Sequence, residues 1–134
     1  MRVLVDTCVW SLALRRLNGP NPPEVRALTT LVESKQAFMI GPVRQELLSG
    51  VKVESQFRFL SRRLEAFPDI SIASSEYVLA AEFYNRCSSS GIQGSHVDFL
   101  ICAVACSKRL EIMTVDKDFR RFSKVLPIKL FTSY

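Results

Sequence analysis

Histidine, paired cysteines and long apolar runs are scarce in this 134-residue chain. Its one histidine is His96, and its four cysteines (Cys8, Cys87, Cys102, Cys106) show no Cys-x-x-Cys spacing, which argues against a zinc site and a disulfide framework. Cys102 and Cys106 stand four apart in an apolar stretch and read as small buried side chains of a reducing compartment. His96 reads as a polar residue near a helix start rather than a ligand or base. The longest uninterrupted apolar run, Phe99 to Cys106, is too short to span a bilayer. Asp6 breaks the N-terminal apolar run after Val3, Leu4 and Val5, so no signal-peptide core is present and a cytoplasmic protein is expected. No Walker loop and no dinucleotide-binding glycine motif occurs.

What remains is well suited to a packed core. At 48% apolar residues, with no linker-like segment, the chain reads as one soluble globular domain over residues 1–134. Lysine and arginine number 18 against 13 aspartates and glutamates, a net charge of +5. A basic surface is compatible with nucleic acid, but many proteins that never touch nucleic acid share it.

The local patterns alternate between strand and helix. Val3-Leu4-Val5 is a continuous apolar triplet of the kind buried on both faces in a parallel sheet, and it ends at Asp6. Val9, Trp10, Ala13, Leu14 and Leu17 follow at helical spacing, and the turn cluster Asn18 to Pro23 ends that helix. A second helix is expected over Glu24–Ser34, a strand over Ala37–Ile40, and a short helix over Val43–Ser49 that Pro42 opens and Gly50 stops. From Glu54 to Phe67 the positions Phe57, Leu60, Leu64 and Phe67 mark one helical stripe. Arg58, Arg62 and Arg63 lie off it, as a solvated face or a contact for phosphate or an acidic partner. Phe59 also falls outside the stripe, either as an exposed contact residue or as loose core. Ile70–Ile72 is a short alternating segment, and a helix is expected over Ser75–Ser88. Ser95-His-Val-Asp98 resembles a capping box and opens the wholly apolar helix Phe99–Cys106, which must be buried on most of its circumference. Glu111–Val115 is the next strand, and Ile128–Phe131 a final edge strand. This order predicts an α/β fold, a three-layer α/β/α sandwich on a mainly parallel central sheet.

Four carboxylates stand out on that frame. Asp6 follows the first strand, Glu46 lies on the helix after the second, Asp98 begins the buried helix, and Asp116 follows a later strand. Each has a plain structural reading: Asp6 and Asp116 as caps, Asp98 as part of its capping box, Glu46 as a solvated side chain. Jointly, however, strand ends and helix starts of one parallel sheet meet at the same edge. Carboxylates about 4 Å apart repel by about 4 kcal/mol per pair at an effective dielectric of 20. Such a cluster calls for a divalent cation, with Mg²⁺ and Mn²⁺ matching its oxygen donors. A water activated by such an ion can attack phosphorus in line. Other acidic α/β sites fit poorly. A receiver domain would have adjacent acids after strand one, a haloacid-dehalogenase phosphatase needs Asp-x-Asp, and a metal-dependent adhesion domain needs Asp-x-Ser-x-Ser. Only Asp6 is acidic there, and positions 8 and 10 are Cys8 and Trp10.

Val-Leu-Val-Asp6-Thr, Glu46 followed by Leu-Leu-Ser-Gly, Asp98 opening an Ile-Cys-Ala-Val-Ala helix, and Thr114-Val-Asp116-Lys-Asp-Phe119 together resemble the PIN-domain nucleases. The opening Asp-Thr-Cys-Val-Trp-Ser-Leu-Ala-Leu-Arg-Arg is similar to that of the VapC-type toxins of bacterial toxin–antitoxin pairs. The resemblance covers essentially the whole chain. It implies a Mg²⁺- or Mn²⁺-dependent endoribonuclease that acts on RNA and inhibits translation or growth. It also implies a homodimer, and neutralisation by a cognate VapB-like antitoxin whose tail lies over the acidic pocket. Carried over, Asp6, Glu46 and Asp98 are the core acidic residues and Asp116 the fourth, with Asp118 as a rival for its role. Asp6, Asp98 and Asp116 would bind metal directly or through water, while Glu46 binds a second ion or orients the attacking water. Thr7 and Thr114 would be supporting hydroxyls. Arg15, Arg16 and Lys117 are candidates for phosphate contact, solvation being the plainer reading of each. The alternatives are an RNA-processing nuclease of the same superfamily that is not a toxin, and a non-catalytic RNA- or protein-binding module of the same fold.

Overall fold

The fold is taken from a computed structural model, which describes residues 1–15 and 20–132. In chain order the elements are β1 (Val3–Val5), α1 (Thr7–Arg15), α2 (Pro23–Glu33), β2 (Ala37–Ile40), α3 (Gly41–Leu48), α4 (Glu54–Leu64), β3 (Asp69–Ile70), α5 (Ser74–Ser89), α6 (His96–Lys108), β4 (Glu111–Met113) and α7 (Asp118–Phe122). The four strands form one parallel sheet in the order β3-β2-β1-β4. From β1 to β2 to β3 the chain steps across the sheet in one direction, and from β3 to β4 it returns to the opposite edge. Because parallel crossovers are right-handed, that reversal puts α5 and α6 on the face opposite α1 to α4. In keeping with this, α5 packs along α6, while α1 packs on α2 and α3. The predicted α/β/α arrangement is thus the observed one.

Burial follows the sequence pattern closely at the centre. Val3, Leu4 and Val5 are all fully buried, as an apolar strand in the middle of the sheet requires. Every residue from Phe99 to Ala105 is buried, so α6 lies between sheet and α5 with no solvent face over that stretch. Glu76 links the two helices: its Oε1 accepts the Ala73 N–H at 2.8 Å, and Lys108 Nζ lies 3.5 Å from Oε2. Outside the sheet, Phe99, Phe119 and Phe122 form a buried aromatic group, with His96 stacked on Tyr84 at its rim.

Three expectations are corrected. The last predicted strand, Ile128–Phe131, is reduced to a single bridge between Ile112 and Leu130. Pro127 lacks an N–H, and the Ile128 N–H turns back to the Leu126 carbonyl at 2.9 Å, so the segment reaches β4 too late to run beside it. The strand expected over Glu111–Val115 ends at Met113, because the next N–H groups turn to side chains: Val115 N–H to Cys8 Sγ and Asp116 N–H to Thr114 Oγ1. The helix expected to reach Phe67 ends at Leu64, after which Glu65, Ala66 and Phe67 bond three residues back. Pro68 disfavours α geometry at Phe67, and Arg44 collects the freed carbonyls of Leu64 (2.8 Å) and Phe67 while pairing with Asp69 at 3.0 Å. Arg44 therefore joins α3 to the end of α4 and the start of β3.

Gly94 tests the packing around α6. A Cβ there would stand 2.6 Å from Phe122 Cζ and 3.0 Å from Phe99 Cε2, both rings being buried. Gly94→Ala is expected to cost about 1–3 kcal/mol of stability, read as a lower urea midpoint at unchanged slope.

Candidate active site

All four strands run the same way, so their carboxyl ends share one edge of the sheet. Asp6 leaves β1 there, and α3 with Glu46 leaves β2. Thr114 and Asp116 leave β4, and α6, running back to feed β4, has its N-terminal Asp98 at the same edge. Local chemistry then orients each carboxylate. Asp6 is buried, with 6% of its surface exposed. Its Oδ1 accepts the Thr7 N–H at 2.7 Å, and its Oδ2 accepts the Thr114 hydroxyl at 2.9 Å and the Cys8 thiol at 3.2 Å. The Thr7 hydroxyl donates to Glu46 Oε1 at 3.0 Å, tying the exposed glutamate to the start of α1. Asp98 completes its capping box: Oδ2 accepts the Ser95 N–H at 3.0 Å while the Asp98 N–H donates to Ser95 Oγ at 3.1 Å. Asp116 Oδ1 accepts the Asp118 N–H at 2.9 Å, opening α7. Asp98 and Asp116 thus both serve local structure as expected, but each uses one oxygen and leaves the other without a hydrogen-bond partner among the described residues.

The electrostatics join these groups. Burial pushes the Asp6 carboxyl above its ordinary value, against the lowering effect of the Thr114, Cys8 and Thr7 hydrogen bonds, and the Asp98 charge raises it further. Burial likewise raises Asp98 against its two Ser95 bonds, and Asp116 and then Asp118 add to the rise. Asp6, Asp98, Asp116 and Asp118 thus share one negative field. Among the described residues no three histidine, cysteine or carboxylate side chains converge closely enough to enclose a metal ion. The donor set is accordingly open and oxygen-rich. It suits Mg²⁺ or Mn²⁺, hard ions that keep several waters and take few protein ligands.

The PIN domain family model matches residues 3–125. The chain belongs to the PIN domain family. It is similar to Ribonuclease VapC11 of Mycobacterium tuberculosis, 26% identical over 125 residues that make up 92% of each chain. Among solved structures this PIN domain is similar to FitAcB from Neisseria gonorrhoeae, with a TM-score of 0.76 and 22% identity over 97% of this chain and 96% of that one. It is also similar to VapBC2 from Rickettsia felis bound to a DNA fragment from their promoter, with a TM-score of 0.74 and 19% identity over 98% of each chain. These two likenesses are of fold. Among the described residues of the PIN domain, no helix is long and apolar enough to cross a membrane.

Not every candidate falls in the same place. Asp116 and Asp118 both raise the Asp98 carboxyl by their charge, Asp116 the more strongly. Arg15 is exposed at the end of α1, and Lys117 is exposed beside Asp116 in a cleft lined also by Arg120. Arg16 lies outside the described residues. Cys8 is the residue that pattern reading missed. Besides its bond to Asp6, its sulfur lies 3.4 Å from Thr114 Oγ1 and accepts the Val115 N–H at 3.4 Å, so the thiol links α1 to the segment after β4. Burial and the adjacent Asp6 charge push this thiol up, which keeps it protonated and donating. Sequence offers only its place two residues after Asp6, because the contacts of the thiol with Thr114 and Val115 are tertiary.

The raised carboxyls set a pH dependence. The folded protein holds protons on Asp6 and Asp98 more tightly than the unfolded chain does. Their contribution to stability is full at acid pH, below the unfolded values, and is lost as pH rises through the raised folded values. Asp98→Asn keeps an acceptor for the Ser95 N–H. Calorimetry in EDTA should find it melting a few degrees above wild type near neutral pH and level with wild type at acid pH.

Proposed function

We propose that this PIN domain is a Mg²⁺- or Mn²⁺-dependent endoribonuclease of the VapC type, acting as a single nuclease domain over residues 1–134. The observation that carries this reading is the shared field of Asp6, Asp98, Asp116 and Asp118, two of whose carboxyls are pushed up by burial and mutual charge. Such a cluster is unfavourable near neutral pH unless a cation sits in it. Family membership and the similarity to Ribonuclease VapC11 support RNA as the substrate.

In this reading Asp6, Asp98 and Asp116 hold the metal directly or through water. Glu46, on the far side of Thr7, orients the attacking water or helps hold a second ion. Thr114 and Cys8 hold Asp6 Oδ2 and the Thr7 N–H holds Oδ1, so the carboxylate is fixed in orientation. Thr7 holds Glu46 in register with Asp6 through one backbone and one side-chain bond. When bound, the metal supplies an acidified water and offsets charge on the phosphate oxygens. Asp118 is the rival for the role of Asp116, and Lys117, exposed between them, would meet phosphate. As in toxin–antitoxin pairs, the protein would work in the cytoplasm as a homodimer, arresting translation or growth until a VapB-like antitoxin binds. The similarity to VapBC2 supports that partner.

The test is incubation of purified, antitoxin-free protein with total bacterial RNA in Mg²⁺, Mn²⁺ or EDTA. Discrete fragments are expected with either metal and none in EDTA or with folded Asp6→Asn. Thr114→Val is expected to slow cleavage by about 10- to 100-fold, as loss of an outer-shell partner does. RNA left intact by folded wild type in both metals would overturn the assignment in favour of a binding module on the same fold.

A further inference from the structure

The acidic edge does not end at Glu46. A groove of about 460 Å³ opens beside it between α1 and α4, floored by Leu14 and Leu60 and rimmed by Arg15, Phe59 and Arg63. Its rim is unusual for this protein. Phe83, Phe99, Phe119 and Phe122 are all buried and Phe57, expected in the apolar stripe of α4, leaves 40% of its surface in solvent, whereas Phe59 leaves 64%. The reason lies in the helix. Leu60 and Leu64 turn toward the core, and Phe59, one residue before Leu60, is rotated about 100° away from them. The Arg63 guanidinium lies over the ring, 5.7 Å from its centroid. Of the neighbouring arginines, Arg58 pairs with Glu54 and Arg44 with Asp69, while Arg62 has no ion-pair partner among the described residues. Arg15 and Arg63 have no ion-pair partner among the described residues.

We propose that this groove is a subsite for single-stranded RNA flanking the cleavage position, with Phe59 as a base-stacking platform and Arg15 and Arg63 as phosphate contacts. The inference rests on the ribonuclease reading above. Proteins that hold single strands combine an aromatic face for stacking with cations that follow the backbone, and arginine planes stack bases as well. Position supports the assignment. Glu46 belongs both to the groove and, through Thr7, to the Asp6 edge, so a strand with its phosphate at Asp6 continues onto α4. Unpaired positive charge beside an exposed ring complements a nucleotide strand better than an apolar peptide face. Arg63 holds one side of the ring in place, leaving Phe59 pre-oriented rather than free to collapse onto the protein.

The experiment is fluorescence anisotropy with a labelled single-stranded oligoribonucleotide of about ten nucleotides, in Ca²⁺ with its integrity checked on a gel. Phe59→Ala removes an exposed ring and should leave the melting temperature unchanged while weakening binding by about 5- to 100-fold. An oligonucleotide with one abasic position in the right register should lose a similar factor with wild type and nothing further with Phe59→Ala. Arg63→Gln should flatten the dependence of log Kd on log salt by about 0.7. Equal affinity of wild type and both variants would overturn the proposal and leave the groove to a protein partner. The RNA cleavage assay separates the two readings. If wild type cuts RNA and Phe59→Ala binds and cuts equally well, only the groove assignment falls; if wild type cuts nothing, the nuclease reading falls and the anisotropy still decides the groove.

Discussion

The Asp6 carboxylate, buried at the end of the central strand, is the constraint around which the rest of this edge is built. Three donors reach it: the Thr7 N–H, the Cys8 thiol and the Thr114 hydroxyl. An ionised carboxylate without them would be too costly to bury. Each bond also fixes a piece of chain. Thr7 begins α1, Cys8 ties that first turn to the segment after β4, and Thr114 ends β4 by turning its hydroxyl to Asp6 while accepting the Asp116 N–H. The parallel pairing of β1 with β4 then does the rest, because Val5 lies level with Met113 and the two strands release their chains side by side.

The same arrangement leaves the site poorly satisfied by itself. Burial and neighbouring charge raise Asp6 and Asp98, while one oxygen each of Asp98 and Asp116 has no donor among the described residues. A protein selected only for stability would neutralise one of these groups. Retaining them makes sense if a cation completes the site, and the open geometry favours an ion that brings its own water and a phosphate oxygen. The groove along α4 extends that logic outward, from the atoms that would bind the reacting phosphate to those that would hold the flanking strand.

Much of this was legible in the sequence, for reasons that differ by element. Val3–Val5 and Phe99–Ala105 declared themselves because burial on all sides demands uninterrupted apolar residues. Asp6, Glu46, Asp98 and Asp116 could be placed at one edge because parallel topology alone brings strand ends and helix starts together. What pattern could not supply was set by tertiary pairing. Ile128–Phe131 has strand composition, yet its approach to β4 depends on the turn at Pro127. The stop at Leu64 depends on Arg44, twenty residues earlier. Cys8 looks like any small buried residue until its two neighbours across the edge are known. Phe59 stood outside its helical stripe, and only the depth of Leu60 and Leu64 shows that it is a surface ring.

The central claim is that these carboxylates form one cation site dependent on Asp6. Titration of Mn²⁺ into the purified protein, with free ion followed by electron paramagnetic resonance, tests it without any RNA. The account predicts saturable binding to wild type, at least about 10-fold weaker in Asp98→Asn and absent in folded Asp6→Asn. Identical weak binding by all three proteins would contradict it.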